Sequence, residues 1–327
     1  MSSAAVSVNI GNEKNKEEQG WLDHPVIGKF QVAIAICFYA ACSSTMLVIN
    51  KLAVHFLPAP AIVLFFQLLS SAIAVVVADS AGWVKSEKLE WGKVKSFSIV
   101  ALAFLGAIFT NMKTLQYANV ETFIVFRSST PIVISVLDYV FLGRELPTAR
   151  SWLSLILLLF GAIGYVVTDS DFAVRAYVWV ALWFIVFAFD QVYIKYVCDT
   201  VPMTSWGRVY YTNLLSLAPV TILGLAFQEH RLISDFTWTG PSVYALLLSC
   251  ACGVGMSYSA FWLRSLVSAT SFTVVGIVCK IATVVVNLLI WDKHASPAGL
   301  AALSVCLFAG SIYQQAPMRE TVKHVSS

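Results

Sequence analysis

Long apolar segments recur along almost the whole chain, and they constrain its fold more than any other feature. The 327 residues are 58% hydrophobic and 12% charged, whereas a soluble domain is about half apolar and about a quarter charged. A helix that crosses a bilayer needs roughly 20 mostly apolar residues. The sequence therefore predicts an all-α integral membrane protein with about ten transmembrane helices. The predicted spans lie near residues 30–49, 59–78, 97–116, 120–142, 151–168, 175–196, 206–227, 241–262, 269–291 and 297–315.

Two sequence matches indicate an internal repeat inside a predicted transporter domain of residues 30–316. QLLSSAIAVV from Gln67 matches NLLSLAPVTI from Asn213, and FGAIGY around Gly161 matches AGSIYQ around Gly310. Five spans per repeat is an odd number, so the second repeat would be inverted, as in many secondary transporters. A chance match between Leu- and Ala-rich helices is the alternative. The predicted repeats cover residues 30–168 and 175–315.

The charges predict the orientation and exclude several classes of function. Most loop lysines and arginines fall on the side that holds both termini, which favours cytosolic tails at residues 1–29 and 317–327. The net charge of +3 is small and scattered, so nucleic acid is not an expected partner. The cysteines and histidines lack metal-ligand spacing, and no acid–base pair lies in a span. We therefore expect no metal, no cofactor, no catalytic residue and no enzyme activity.

Two cations lie inside predicted spans and need an explanation. A charge at the centre of a bilayer costs at least about 2.5 kcal/mol, so Lys280 and Arg127 should face a partner or a polar cavity. Gly276 lies one helical turn before Lys280 on the same face, which leaves room for a ligand such as a diphosphate. The alternative for Lys280 is an ion pair with Asp138 or Asp190. Arg127 is either substrate-binding or structural, and a structural partner would have to come from another helix.

A cluster of aromatic and hydrogen-bonding residues opens the seventh span, in the sequence SWGRVYYTNLLSL. Tyr211, Thr212 and Asn213 combine a ring with polar side chains within one turn. An amide can pair with the edge of a base, and a ring can stack on its face with about 1 to 3 kcal/mol. The cluster therefore predicts a purine site, although an aromatic belt at the membrane interface is an alternative. Tyr39 in the first span is a further candidate, but small residues at a helix contact also explain its surroundings.

These motifs resemble those of a known family. YYTN at residues 210–213 resembles the Phe-Tyr-Asn-Asn motif of GDP-mannose and GDP-fucose transporters, and GIVCK at 276–280 resembles their Gly-Ala-Leu-Asn-Lys motif. Tyr39 resembles the tyrosine of their first span. NVETFIVFRSSTPI and NLLIWDKHASP look like the plant branch of Golgi GDP-sugar transporters. The resemblance implies the ten-helix drug/metabolite transporter fold and a multi-pass protein of the Golgi membrane. It also implies alternating-access exchange of a cytosolic GDP-sugar for lumenal GMP.

The resemblance also assigns roles to residues, and two positions depart from the family pattern. Tyr211 and Asn213 would contact guanine, Gly276 would admit the nucleotide, and Lys280 would neutralise phosphate. Thr212 replaces the first asparagine of one motif and Cys279 replaces the asparagine before the lysine of the other, so two expected amide contacts are missing.

These departures leave open the alternative of a UDP-sugar or other organophosphate antiporter of the same superfamily. The choice among mannose, fucose and galactose conjugates of GDP also stays open. The other partners implied are membrane lipid and a second copy of the chain, through helix faces with small residues.

Overall fold

The computed structural model describes residues 31–117, 120–167, 174–234, 236–290 and 297–319. These ranges form helices and contain no β-strand, apart from one isolated antiparallel bridge between Arg144 and Met318. The all-α prediction is confirmed. The helices are α1 (Gln31–Phe56), α2 (Pro60–Ser80), α3 (Trp91–Tyr117), α4 (Val120–Phe141), α5 (Ala149–Val167), α6 (Val174–Thr200), α7 (Ser205–Ala226), α8 (Glu229–Ser234), α9 (Gly240–Leu266), α10 (Ala269–Ile290) and α11 (Pro297–Ile312).

Six helices in the described ranges are long and apolar enough to cross a membrane, judged by length and composition. Helices α5 and α10 contribute shorter apolar segments. Each predicted span overlaps one long helix, but the number of ten crossings stays a prediction. The six candidate spans are Gln31–Phe56, Pro60–Ser80, Trp91–Asn111, Val178–Thr200, Ser205–Ala226 and Gly240–Leu266.

The chain divides into two compact units, and neither is continuous in sequence. Unit 1 comprises Met1–Phe109 and Tyr193–Leu266, and unit 2 comprises Thr110–Val192 and Val267–Ser327. Each unit thus takes helices from both predicted repeats. Helices α3 and α6 contribute residues to both units.

The core of unit 1 brings together the ends of α6, α7 and α9 with parts of α2 and α3. Tyr211 and Phe97 lie fully buried at its centre, with ring centroids 5.4 Å apart. Burying aromatic side chains of this size supplies much of the stabilisation of such a core. The buried members are Val75, Phe97, Val100, Ile194, Val197, Cys198, Met203, Val209, Tyr211 and Phe261.

Helices α2 and α7 of unit 1 are antiparallel. The N-terminus of each helix is capped by a carboxylate that comes just after the other helix in the sequence. The Glu229 carboxylate, just after α7, accepts hydrogen bonds from the backbone N–H groups of Ala61 (3.2 Å) and Ile62 (3.1 Å). The Glu87 carboxylate, after α2, accepts from the backbone N–H of Thr204 at the start of α7 (2.8 Å). Both carboxylates satisfy donors that a helix leaves free at its N-terminus.

Close helix contacts hold unit 2 together. At Gly161 of α5, an added Cβ would lie 2.6 Å from the Cys306 sulfur and 3.0 Å from the Ala302 carbonyl oxygen of α11, so only glycine fits without a shift. Helix α10 begins on the Asp138 carboxylate, which accepts from the Thr270 backbone N–H (3.1 Å) and hydroxyl (2.7 Å). The C-terminal half of α4 is thereby tied to the start of α10.

Residues 314–319, here called the C-terminal strap, fold back onto the loop between α4 and α5. The Glu145 N–H donates to the Pro317 carbonyl (3.0 Å), and the Arg319 N–H donates to the Gly143 carbonyl (2.9 Å). The Arg144 guanidinium donates to the Ala316 carbonyl (2.9 Å). The first residues of the predicted cytosolic tail are therefore part of the packing of unit 2.

Candidate functional site

Tyr211 lies on α7 within the core of unit 1 and its hydroxyl is already engaged. The side chain is 0% exposed, and the hydroxyl donates to the Lys88 carbonyl (2.5 Å) and accepts from the Glu90 N–H (2.8 Å). Both partners belong to the loop between α2 and α3. The predicted contact between Tyr211 and guanine therefore finds no open ring face in this structure. Residues of an aromatic belt face the membrane interface, so the full burial of Tyr211 argues against that alternative.

Thr212 and Asn213 follow on the buried face of α7. The Asn213 side-chain N–H donates to the Val209 carbonyl one turn earlier (2.7 Å), and its side-chain oxygen lies 3.5 Å from the Ser257 hydroxyl of α9. The Thr212 hydroxyl is buried and has no hydrogen-bond partner among the described residues. A buried hydroxyl without a partner is costly. It is therefore a group that a ligand or a water molecule would satisfy.

Two further residues of α7 share this property, and the sequence prediction missed both. Arg208 and Ser216 lie one turn before and one turn after Thr212, so the three side chains follow each other along one face. Within the described ranges, the Ser216 hydroxyl and the Nε and Nη1 groups of Arg208 are buried without a hydrogen-bond partner. The spacing of four residues between polar side chains was the signal in the sequence. We call Arg208, Thr212 and Ser216 the polar line of α7.

An amide pair lies next to the same stretch of α9. The Gln67 side-chain N–H of α2 donates to the Asn50 side-chain oxygen of α1 at 2.8 Å. Gly253 lets α9 approach Gln67 closely, because an added Cβ at position 253 would lie 3.3 Å from the Gln67 Cβ. Ser257, which approaches Asn213, lies one turn further along α9. Gln67 and Asn213 are also the matched positions of the predicted repeat, and this match was a sequence signal for Gln67.

Tyr39 and Arg127, the two weaker candidates, occupy different units. Tyr39 is buried in α1 of unit 1. In unit 2, the guanidinium carbon of Arg127 lies 5.4 Å from the centroid of the Phe187 ring of α6, and Phe187 stacks on Trp183 at 5.0 Å. A cation over an aromatic face is a favourable contact. Phe187 thus supplies the partner from another helix that a structural role for Arg127 requires.

Gly276, Cys279 and Lys280 lie on α10 of unit 2. Gly276 and Cys279 are buried, whereas the Lys280 side chain is outside the described residues. Asp138 is held at Thr270, ten positions before Lys280, which is about 15 Å along a helix axis. The Asp138 carboxylate is thus tied to the start of α10, and the alternative of an ion pair between Asp138 and Lys280 stays a prediction.

Asp190, the other carboxylate considered as a partner for Lys280, accepts a hydrogen bond from the Gln191 side chain at 2.8 Å. This contact joins neighbours on α6 of unit 2 and leaves the partner of Lys280 a prediction.

Four cations in loops or at the ends of predicted spans, which were expected on the cytosolic side, are buried: Arg144, Lys195, Arg208 and Arg264. Arg144, Lys195 and Arg208 each donate to a backbone carbonyl group instead of facing solvent. The inference of cytosolic termini must therefore rest on the other lysines and arginines, and it stays a prediction.

Comparisons with known proteins agree with the resemblance found in the sequence. The chain is 42% identical over 287 residues to GDP-fucose transporter 1 of Arabidopsis thaliana, covering 85% of this chain and 83% of the relative. It is 36% identical over 288 residues to GDP-mannose transporter GONST3 of the same plant, covering 86% and 77%. A solved crystal structure with 13% identity matches with a TM-score of 0.66 over 86% of this chain and 96% of that one, and it shows the fold alone.

The family assignment follows from one further match. The model of the Triose-phosphate Transporter family matches residues 30–314, which covers nearly all of the predicted transporter domain. The relatives are transporters by name, so the prediction of a transporter rather than an enzyme is confirmed. This chain belongs to the Triose-phosphate Transporter family.

Proposed function

We propose that this protein exchanges a cytosolic GDP-sugar for lumenal GMP across the Golgi membrane by alternating access. The observation that carries the proposal is the similarity over most of the chain to plant proteins named as GDP-fucose and GDP-mannose transporters. The buried polar groups of α7 support it, because a lipid-embedded helix bears unpartnered polar side chains only at a cost. Those groups lie at the YYTN motif.

The architecture proposed for this exchange is ten crossing helices in two inverted five-helix repeats, with both termini in the cytosol. The reciprocal caps at the starts of α2 and α7 support it. Glu229 follows α7 and caps α2, while Glu87 follows α2 and caps α7. Caps at corresponding helix ends that exchange roles in this way are expected when one repeat is the inverted copy of the other.

Within unit 1, Thr212 and Asn213 are proposed to read the nucleobase. Asn213 has an amide that can pair with a donor and acceptor edge, and Tyr211 supports it by fixing the start of α7. Tyr39 is proposed as a weaker contact. Within unit 2, Lys280 is proposed to neutralise the diphosphate, with Gly276 and Cys279 providing a narrow neighbouring surface and Arg127 adding positive charge.

A second candidate function is transport of a UDP-sugar or another organophosphate. Thr212 favours it, because a threonine hydroxyl offers one donor hydrogen where an asparagine amide offers two. Cys279 also favours this second candidate, because it stands where the family motif has an asparagine, so another amide is missing. A smaller base would need fewer such contacts.

The test is exchange of radiolabelled GDP-mannose or GDP-fucose in proteoliposomes, with nucleoside monophosphates as competitors. We expect GMP to compete, and we expect uptake into GMP-loaded vesicles to exceed uptake into empty ones. Lys280→Ala should abolish exchange, because the diphosphate then enters a low-dielectric site without a counter-charge. Lys95→Ala is the matched control, since Lys95 is exposed at the start of α3.

Three outcomes contradict the proposal at different levels. Competition by UMP but not by GMP would replace the guanine assignment and retain the transporter. Equal uptake into loaded and empty vesicles would exclude obligatory exchange. Wild-type activity of Lys280→Ala would remove Lys280 from the site.

A further inference from the structure

Three buried cations lie where α6, α7 and α9 end or begin in unit 1. Lys195 is 3% exposed, Arg208 is 1% exposed and Arg264 is 8% exposed. These helix ends share one core, to which Cys198, Val209 and Phe261 belong. A buried charge is tolerated when it is paired or hydrogen-bonded. The partners of these cations therefore decide whether the group is only structural.

Lys195 has a complete structural explanation. Its ammonium lies 2.7 Å from the Asp199 carboxylate, which is 39% exposed, and donates to the Arg264 carbonyl at 2.9 Å near the end of α9. A cation at the C-terminus of a helix also interacts favourably with the helix dipole. Lys195 therefore needs no ligand, because the Asp199 carboxylate balances its charge.

Arg208 is different, because most of its donors are unused. One donor, Nη2, bonds the Cys198 carbonyl near the end of α6 at 2.8 Å. The Nε and Nη1 groups are buried without a hydrogen-bond partner, and no carboxylate of the described residues lies within 4.0 Å of the guanidinium. An Arg that only caps α6 would need a single donor. A nearly fully buried guanidinium with two free donors is instead prepared for an anion.

The surroundings of Arg208 favour a phosphate as that anion. Thr212 lies one turn further along the same face with a buried hydroxyl that has no partner in the described ranges. Arg208 sits in the first turns of α7, where the helix dipole is positive. The Glu87 carboxylate also lies at this end of α7, against Gly207. It accepts hydrogen bonds from the Thr204 backbone N–H and hydroxyl and not from Arg208.

We propose that Arg208, together with Thr212, forms a phosphate-binding site at this end of unit 1. This site goes beyond the proposed function, because it is built around Arg208, to which the proposed function gives no role, and does not depend on which sugar is carried. The phosphate can come from the transported nucleotide or from the headgroup of an anionic lipid, since basic pockets between membrane helices bind such headgroups. Both sources present the same chemistry to the guanidinium.

The experiment measures how phosphate probes raise the unfolding temperature of the purified protein in an uncharged detergent. One pair of probes is GMP against guanosine, which differ by the phosphate. The other is a short-chain phosphatidylinositol phosphate against phosphatidylcholine. The variant is Arg208→Gln, and the control is Arg150→Gln, which removes an exposed arginine at the start of α5.

We expect Arg208→Gln to weaken binding of at least one phosphate probe about tenfold, the loss of one charge-assisted hydrogen bond, while Arg150→Gln responds like wild type. An effect on GMP identifies the nucleotide as the source, and an effect on the lipid identifies the headgroup. Both support the site.

Unchanged responses of Arg208→Gln to GMP and to the lipid would overturn the proposal and leave Arg208 a cap of α6. If Arg208→Gln cannot be purified, Arg208→Lys takes its place, because an ammonium lacks the forked donors. Wild-type affinity for both probes in that variant would also overturn the site. These measurements need no transport, so a wild type that exchanges no GDP-sugar would refute only the proposed function.

Discussion

At the residue scale, Tyr211 shows how a motif can be conspicuous in the sequence and still be used for packing. Its ring is enclosed beside Phe97, and its hydroxyl bridges Lys88 and Glu90 of the loop between α2 and α3. The residue type and spacing suggested a stacking surface. Only the fold reveals that the ring faces the core, because the loop partners lie more than a hundred positions away in the chain.

Tyr211→Phe tests this positioning role. The change removes the hydroxyl and both loop hydrogen bonds but keeps the ring, so we expect about 1 kcal/mol lower stability and an unchanged KM for GDP-sugar in exchange assays. Thermal unfolding and transport kinetics measure the two effects separately. A raised KM without loss of stability would instead return Tyr211 to the nucleobase site.

The ligand candidates of α7 were only partly accessible from the sequence. Thr212 and Asn213 were found from the motif, and the structure places both on the buried face. Arg208 was expected at the cytosolic end of the seventh span, because a charged residue near a span end is usually solvated. Its burial depends on α6 and α9, which pack around it through tertiary contacts that no local pattern contains.

At the element scale, hydropathy located the long helices well and their ends less well. Helix α3 begins at Trp91 rather than near 97, because its first turn carries Lys93 and Lys95 and falls outside an apolar window. The short helix α8 was missed for the same reason, since EHRLIS is mostly polar. The caps on α2 and α7 could not be predicted, because each joins residues that are distant in sequence.

Glu229 at the start of α8 makes one of these caps sensitive to pH. Burial raises the pKa of the Glu229 carboxyl above its usual 4.5, and the hydrogen bonds from Ala61 and Ile62 oppose this only in part. The folded state therefore holds the proton more tightly than the unfolded state. The contribution of Glu229 to stability is fully present below pH 4.5 and is lost as the pH rises through the higher folded pKa.

Glu229→Gln removes this titration while preserving the shape of the side chain. We expect the unfolding temperature of the wild type to fall relative to that of the variant as the pH rises from 4.5 through the raised pKa. The measurement is thermal unfolding of both proteins across that range. Parallel curves would show that Glu229 has the same pKa in the folded and unfolded states.

At the scale of the whole molecule, contacts within unit 2 bear on how many helices cross the membrane. Arg144 pairs with Met318 in an antiparallel bridge, so these two residues lie on one side. An even number of crossings must then separate them along the chain. If only the six candidate spans cross, α6, α7 and α9 lie between, which is an odd number. If α5, α10 and α11 cross as well, the number is even.

A second contact leads to the same conclusion independently. The Asp138 carboxylate near the end of α4 bonds Thr270 at the start of α10. Among the six candidate spans, again only α6, α7 and α9 lie between these residues. Crossing by α5 restores an even number. Both contacts therefore favour the ten-crossing architecture over a six-crossing one, because α5 and α10 are apolar and only the length of their described apolar segments keeps them out of the six candidate spans.

Cysteine accessibility distinguishes the two architectures without reference to transport. Single cysteines replace Lys85, Glu145 and Arg231, three exposed residues in the loops after α2, α4 and α7. Each variant and the parent protein are labelled with a membrane-impermeant maleimide in sealed membrane vesicles whose cytosolic face is outward, before and after permeabilisation. With ten crossings, Glu145→Cys must label together with Lys85→Cys and on the opposite side from Arg231→Cys. With six crossings, it must label together with Arg231→Cys, because α4 and α5 then leave their loop on the far side.

Cytosolic termini further require that the Lys85 and Glu145 positions react in intact vesicles, since both then share the face of the C-terminal strap.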